Sequence, residues 1–121
     1  MKRILLAEDD SFIADVYTIQ FKKEGWQVDL ANDGPMALAK IKNTSCDLVI
    51  LDIMLPGLDG WQILRNIRQY APTKNTKVIV ISNINPSDYP TDAKDLGVIK
   101  FFLKVQTPVE EILKAAQKAL Q

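Results

Sequence analysis

Histidine is missing altogether and cysteine occurs once, at Cys46. Without imidazole there is no His general base and no His-ligated metal, and a lone thiol can neither close an internal disulfide nor build a thiolate zinc site. Net charge is missing too, since fifteen Lys and Arg balance fifteen Asp and Glu. The chain therefore exerts no general attraction on nucleic-acid phosphates or anionic lipid, and direct nucleic-acid binding is not expected. No apolar run is long enough to insert through a membrane. The first run, Ile4-Leu5-Leu6-Ala7, follows Lys2 and Arg3 but is cut short by Glu8-Asp9-Asp10, too soon for a signal peptide. These absences predict a soluble, cytoplasmic protein whose chemistry rests on oxygen ligands.

What is present reads as one domain spanning residues 1–121, with no repeat, linker or second module. Five short apolar runs, Ile4 to Ala7, Val28 to Ala31, Leu48 to Leu51, Val78 to Ile81 and Phe101 to Leu103, alternate with amphipathic stretches. That alternation predicts an α/β fold: a single doubly wound, five-stranded parallel sheet with helices on both faces, in the flavodoxin-like order 2-1-3-4-5. The first helix should turn Phe12, Val16 and Ile19 inward and end at Gly25. Pro35 can open the second helix, after the turn Asn32-Asp33-Gly34. The third, from Gly60 to Tyr70, should bury Trp61, Leu64 and Ile67. A fourth, within Asn85 to Leu96, should start late or be irregular because Pro86 and Pro90 interrupt it. For the last helix, Thr107 and Glu110 predict a capping box, Pro108 an N1 proline, and Val109, Ile112, Leu113, Ala116 and Leu120 an apolar stripe.

Ligands of such sheets bind outside the carboxyl ends of the strands. Glu8-Asp9-Asp10 follows the first strand, Asp52 the third, Ser82-Asn83 the fourth and Lys104 the fifth. The predicted order sets the first and third strand ends side by side, so several carboxylates share one cleft. Like charges at close range are costly unless a cation neutralises them, and the few protein oxygens here suit Mg²⁺ better than a Ca²⁺ cage. Beside that ion Asp52 can act as a nucleophile toward a phosphoryl group, with Lys104 and Ser82 meeting the phosphoryl oxygens. Simpler readings exist: Asp10 or Ser11 as a helix N-cap, Asp52 as a strand-terminal cap, Lys104 as a solvated charge. Asp52, however, lies inside the apolar stretch Leu48 to Leu55, where an unpartnered charge is expensive.

Taken together, Ile4-Leu5-Leu6-Ala7-Glu8-Asp9-Asp10, the stretch Asp47 to Gly60 around Asp52, Ser82 and Lys104 resemble the receiver domains of two-component response regulators. The resemblance implies a signalling switch rather than a turnover enzyme. In it Asp52 accepts a phosphoryl group from a histidine kinase or phosphotransfer protein, and the altered surface then engages a downstream protein. It also implies Mg²⁺ held by Asp9, Asp52 and the backbone carbonyl of Met54, with Glu8 acting mostly through water. Ser82 and Phe101 would be the switch pair. Three positions depart from the pattern: Val105 replaces a proline after the lysine, Phe101 a commoner Tyr, and Asn83 a small residue whose replacement should narrow access to the phosphate. Apolar Met54 and Ile84 flank the site and predict slow loss of the phosphate. An aspartate-nucleophile phosphohydrolase would need an acid at Met54, and a flavodoxin-type flavin site would need a Ser/Thr/Gly loop where Glu8-Asp9-Asp10 stands. A receiver that merely docks would not need Asp9, Asp52, Ser82 and Lys104 together.

Overall fold

The computed structural model describes residues 1–121, and in it each apolar run forms a strand: β1 (Arg3–Ala7), β2 (Gln27–Ala31), β3 (Leu48–Asp52), β4 (Val78–Ser82) and β5 (Lys100–Leu103). All pair in parallel, in the order β2-β1-β3-β4-β5. Four α-helices cover the sheet: α1 (Ser11–Lys23), α2 (Gly34–Asn43), α3 (Gly60–Gln69) and α4 (Val109–Ala119).

Strand side chains alternate between faces, so a continuous apolar run feeds two cores at once. Leu5, Val49, Leu51 and Val80 join Ala37 and Ile41 of α2 and Ile63, Leu64 and Ile67 of α3. Ile4, Leu6, Ile50 and Ile79 join Tyr17 and Phe21 of α1 and Ile112 and Ala116 of α4. Each fully buried Leu or Ile stabilises the fold by about 1.5–3 kcal/mol.

Local signals set most helix ends. Asp10, Asp33 and Asp59 cap α1, α2 and α3, each carboxylate accepting a backbone N–H three residues on. Gly25 takes φ +84°, and the bonds from its N–H to the Lys22 carbonyl and from Trp26 N–H to the Phe21 carbonyl end α1 in a Schellman motif. The Phe21 and Trp26 rings, 5.9 Å apart, supply its apolar contact.

Three expectations need correction. The buried face of α1 is Ala14, Tyr17 and Phe21, whereas Phe12 and Ile19 are 75% and 55% exposed. This helix has apolar residues around much of its circumference, so periodicity alone does not choose between stripes. No capping box forms at α4: the Thr107 hydroxyl donates to the Leu103 carbonyl at 2.7 Å, and Pro108 occupies the N-cap position with no side-chain bond. Finally, Asn85 to Leu96 contains no α-helix, only the 3₁₀ turns Pro86–Asp88 and Ala93–Asp95. Tyr89 is extended, with ψ 144°, because the ring of Pro90 disfavours helical geometry in the residue before it.

The proline-bearing segment is instead tied to α3 by arginines. Arg65 binds Asp92 through two bonds of 2.8 and 2.9 Å, and Arg68 donates to the Leu96 carbonyl at 2.7 Å. With so few backbone ladder bonds, amides in 85–96 are expected to exchange with solvent well before those of Val78 to Ile81. Equal protection in the two segments, measured by hydrogen exchange, would refute this.

Candidate functional site

The site lies at the carboxyl ends of four strands, where backbone register brings distant residues together. Ala7 pairs with Leu51, Asp52 with Ile81, and Ser82 with Leu103. Glu8, Asp52, Ser82 and Lys104 therefore line up at one edge of the sheet.

Carboxylate oxygens of Glu8, Asp9 and Asp52 all lie within 4.8 Å of one another. Glu8 and Asp52 are buried, at 1% and 3% exposure, while Asp9 is exposed. Lys104 bridges the buried pair, its Nζ 2.6 Å from Asp52 Oδ2 and 2.8 Å from Glu8 Oε1. Lys104 is thus not a solvated surface charge. Asp52 Oδ1 accepts from the Met54 N–H at 3.0 Å, and Glu8 Oε2 from the Asp10 N–H at 3.1 Å. Glu8 Oε1, fully buried, has the ionic contact with Lys104 but no well-aligned hydrogen bond.

The electrostatics follow from that burial. Desolvation pushes the Glu8 carboxyl above its usual range, and the nearby lysine only partly opposes this. For Lys104, burial works to lower the pKa, but the close contacts with the Asp52 and Glu8 carboxylates outweigh it and hold the ammonium more firmly protonated than usual. One cation facing three carboxylates leaves the cluster short of positive charge. Oxygen-only donors of this kind suit Mg²⁺.

The other expected residues occupy separate positions. Ser82, wholly buried at the end of β4, accepts the Ile84 N–H at 3.3 Å. Phe101 is half-buried in an aromatic group with Trp61 and Tyr89, at centroid separations of 6.1 and 5.1 Å. Met54 is 59% exposed and, with Ile84 and Trp61, lines an open groove of about 490 Å³ that also touches Asp9. Asp10 stands outside the cluster as the cap of α1.

Two features were not anticipated from the sequence. Asn83 accepts the Val105 N–H through Oδ1 at 3.0 Å. Gly60, at the start of α3, packs so closely that a Cβ there would lie 2.6 Å from Ile53 Cα and 3.1 Å from the Asp52 carbonyl. Since those neighbours are backbone, Gly60→Ala is expected to cost about 1–3 kcal/mol by displacing the segment after Asp52. An unchanged urea midpoint would count against that close fit.

The family described as the response regulator receiver domain matches residues 4–117. The chain is 34% identical to the response regulator ArlR of Staphylococcus epidermidis over 122 residues, covering all of this chain and 53% of that protein. It is 32% identical over 119 residues to sporulation initiation phosphotransferase F of Bacillus subtilis, covering 98% of this chain and 94% of that one. A solved structure of the response regulator TrrA from Thermotoga maritima, in complex with Mg(2+)-BeF, has a TM-score of 0.84 and 31% identity, covering 99% of this chain and 100% of that one. Several of the curated relatives are longer, so that the chain spans about half of their length or less.

Proposed function

Because the chain belongs to the response regulator receiver domain family, we propose that it is a phosphorylation-dependent switch whose acceptor is Asp52. The carrying observation is the pairing of buried Asp52 with Lys104, 2.6 Å away, beside Glu8 and Asp9.

In this reading the donor is a phosphohistidine of a histidine kinase or phosphotransfer protein. An Asp52 carboxylate oxygen attacks phosphorus, forming the new P–O bond as the P–N bond breaks and its electron pair leaves with the imidazole. Glu8, Asp9, Asp52 and the Met54 carbonyl would hold Mg²⁺, which supplies charge neutralisation to the phosphoryl oxygens. Lys104 already sits against Asp52, so it needs only a side-chain rotation to follow the arriving charge. The Ser82 hydroxyl, now occupied with the Ile84 N–H, is the second group that reorients. Phe101 moves in response, changing the surface it shares with Trp61 and Tyr89 for a downstream protein partner.

The chain acts on itself rather than turning over a substrate. With apolar Met54 and Ile84 beside the site, no neighbouring side chain orients a hydrolytic water, and the phosphorylated state decays slowly. Such a switch works in the cytoplasm, where phosphohistidine donors are made. The test is incubation with Mg²⁺ and acetyl phosphate, then peptide mapping by mass spectrometry. Phosphate on Asp52 is expected; its absence, or its appearance on another residue, overturns the reading.

A further inference from the structure

We propose that Asn83 is a positioning residue for phosphoryl transfer: by accepting the Val105 N–H it fastens the turn carrying Lys104 to the end of β4. This rests on the functional reading above. The 3₁₀ turn Lys104–Gln106 follows β5 directly, and Ser82 at the end of β4 stands opposite Leu103. Asn83 and Val105 are thus each one residue beyond a group that meets the phosphate.

Among the hydrogen bonds of residues 104–107, those of Thr107 run only to Leu103 and Lys104, within the same segment. The Val105 side chain is 74% exposed and anchors nothing. The backbone ladder between β4 and β5 ends at Ser82 and Leu103, and beyond it, apart from the ion pairs of Lys104 itself, the Asn83 bond is the polar tie between the turn and the end of β4. Once the phosphoryl group arrives and Lys104 leaves the Asp52 carboxylate, the ladder at Leu103 holds its backbone on one side and the Asn83 bond at Val105 on the other. With the backbone held, only side-chain rotation separates the ammonium from the phosphoryl oxygens.

Two of the three departures from the family pattern, Asn83 and Val105, are the two halves of this bond. A proline at 105 would have no N–H to donate, and a small residue at 83 would have no oxygen to receive it. Asn83 supplies the one and Val105 permits the other.

Asn83→Ala removes both acceptor and bulk, whereas Asn83→Leu keeps the bulk, which separates fastening from crowding. Both variants should expose the Val105 amide to solvent exchange by NMR and lower the melting temperature by no more than a few degrees. Both should also lower the maximal rate of phosphate uptake from acetyl phosphate, at saturating Mg²⁺, by about threefold to tenfold, the value of one hydrogen bond. The acetyl phosphate concentration at half-maximal rate should stay the same. Equal Val105 exchange in all three proteins overturns the proposal, as do equal maximal rates. A faster Asn83→Ala with an unchanged Asn83→Leu would instead show that the side chain crowds the site. If the unsubstituted protein takes up no phosphate, the functional reading falls and the positioning role with it, while a difference in Val105 exchange would still establish the bond.

Discussion

Asp52→Asn is expected to abolish phosphate uptake from acetyl phosphate, leaving less than about 1% of the unsubstituted protein's incorporation. Asparagine preserves the shape of the side chain and retains an oxygen for the Met54 N–H, now bonded to Asp52 Oδ1 at 3.0 Å. What it loses is the anionic nucleophile. Because Lys104 keeps its partner Glu8 at 2.8 Å, the variant should remain folded by circular dichroism, so a loss of incorporation would report on chemistry. Undiminished uptake, measured as intact mass, would mean that another residue is the acceptor.

Lys104→Met should be strongly destabilising. The lysine side chain is 13% exposed and faces Glu8 and Asp52 side chains at 0% and 4%. Removing it strands two buried carboxylates, and breaking a buried pair in this way costs about 3–5 kcal/mol. Two conditions should restore part of the loss. Mg²⁺ at a hundredfold excess over its dissociation constant would return about 2.7 kcal/mol through mass action. Acid should help as well, for a definite reason of sign. Burial already raises the Glu8 pKa above 4.5, and a carboxyl with a raised folded pKa binds its proton more tightly in the folded state. Its contribution is therefore most favourable at low pH and is lost as pH rises from about 4.5 through the folded value. Urea midpoints across that range, with and without Mg²⁺, measure both effects. A Lys104→Met protein as stable as the original at neutral pH without Mg²⁺ would show that the ion pairs contribute nothing.

Much of this was legible along the chain. Short apolar runs bounded by turns can hardly be anything but strands buried on both faces, and the acidic or hydroxyl residues directly after them had to land at one sheet edge once the strands were parallel. Asp52, Lys104, Glu8 and Ser82 could be singled out because a charged or polar residue ending an apolar strand has few inexpensive places to go. Caps at Asp10 and Gly25 were equally local, set by backbone geometry within a few residues.

The misreadings share a different origin. For α1, two apolar stripes compete, and only the shape of the slot between β1 and α4 selects Tyr17 and Phe21 over Phe12 and Ile19. At α4, Thr107 had a choice of partners, and the chain leaving β5 put the Leu103 carbonyl within its reach. The segment after β4 carried a clear warning in its two prolines, yet its hold on α3 through Arg65 and Arg68 joins residues 27 to 29 positions apart. Nothing in local periodicity encodes such a pairing.

By itself the sequence determined the strands, their parallel arrangement and the residue types delivered to the site, because burial and chain direction act over a few residues at a time. Only the tertiary structure decided the contacts that cross between elements: Lys104 shared between Asp52 and Glu8, Gly60 against the backbone of Ile53, and Asn83 holding Val105. Those depend on distances of a few tenths of an ångström between segments far apart in the chain, which packing sets and composition does not.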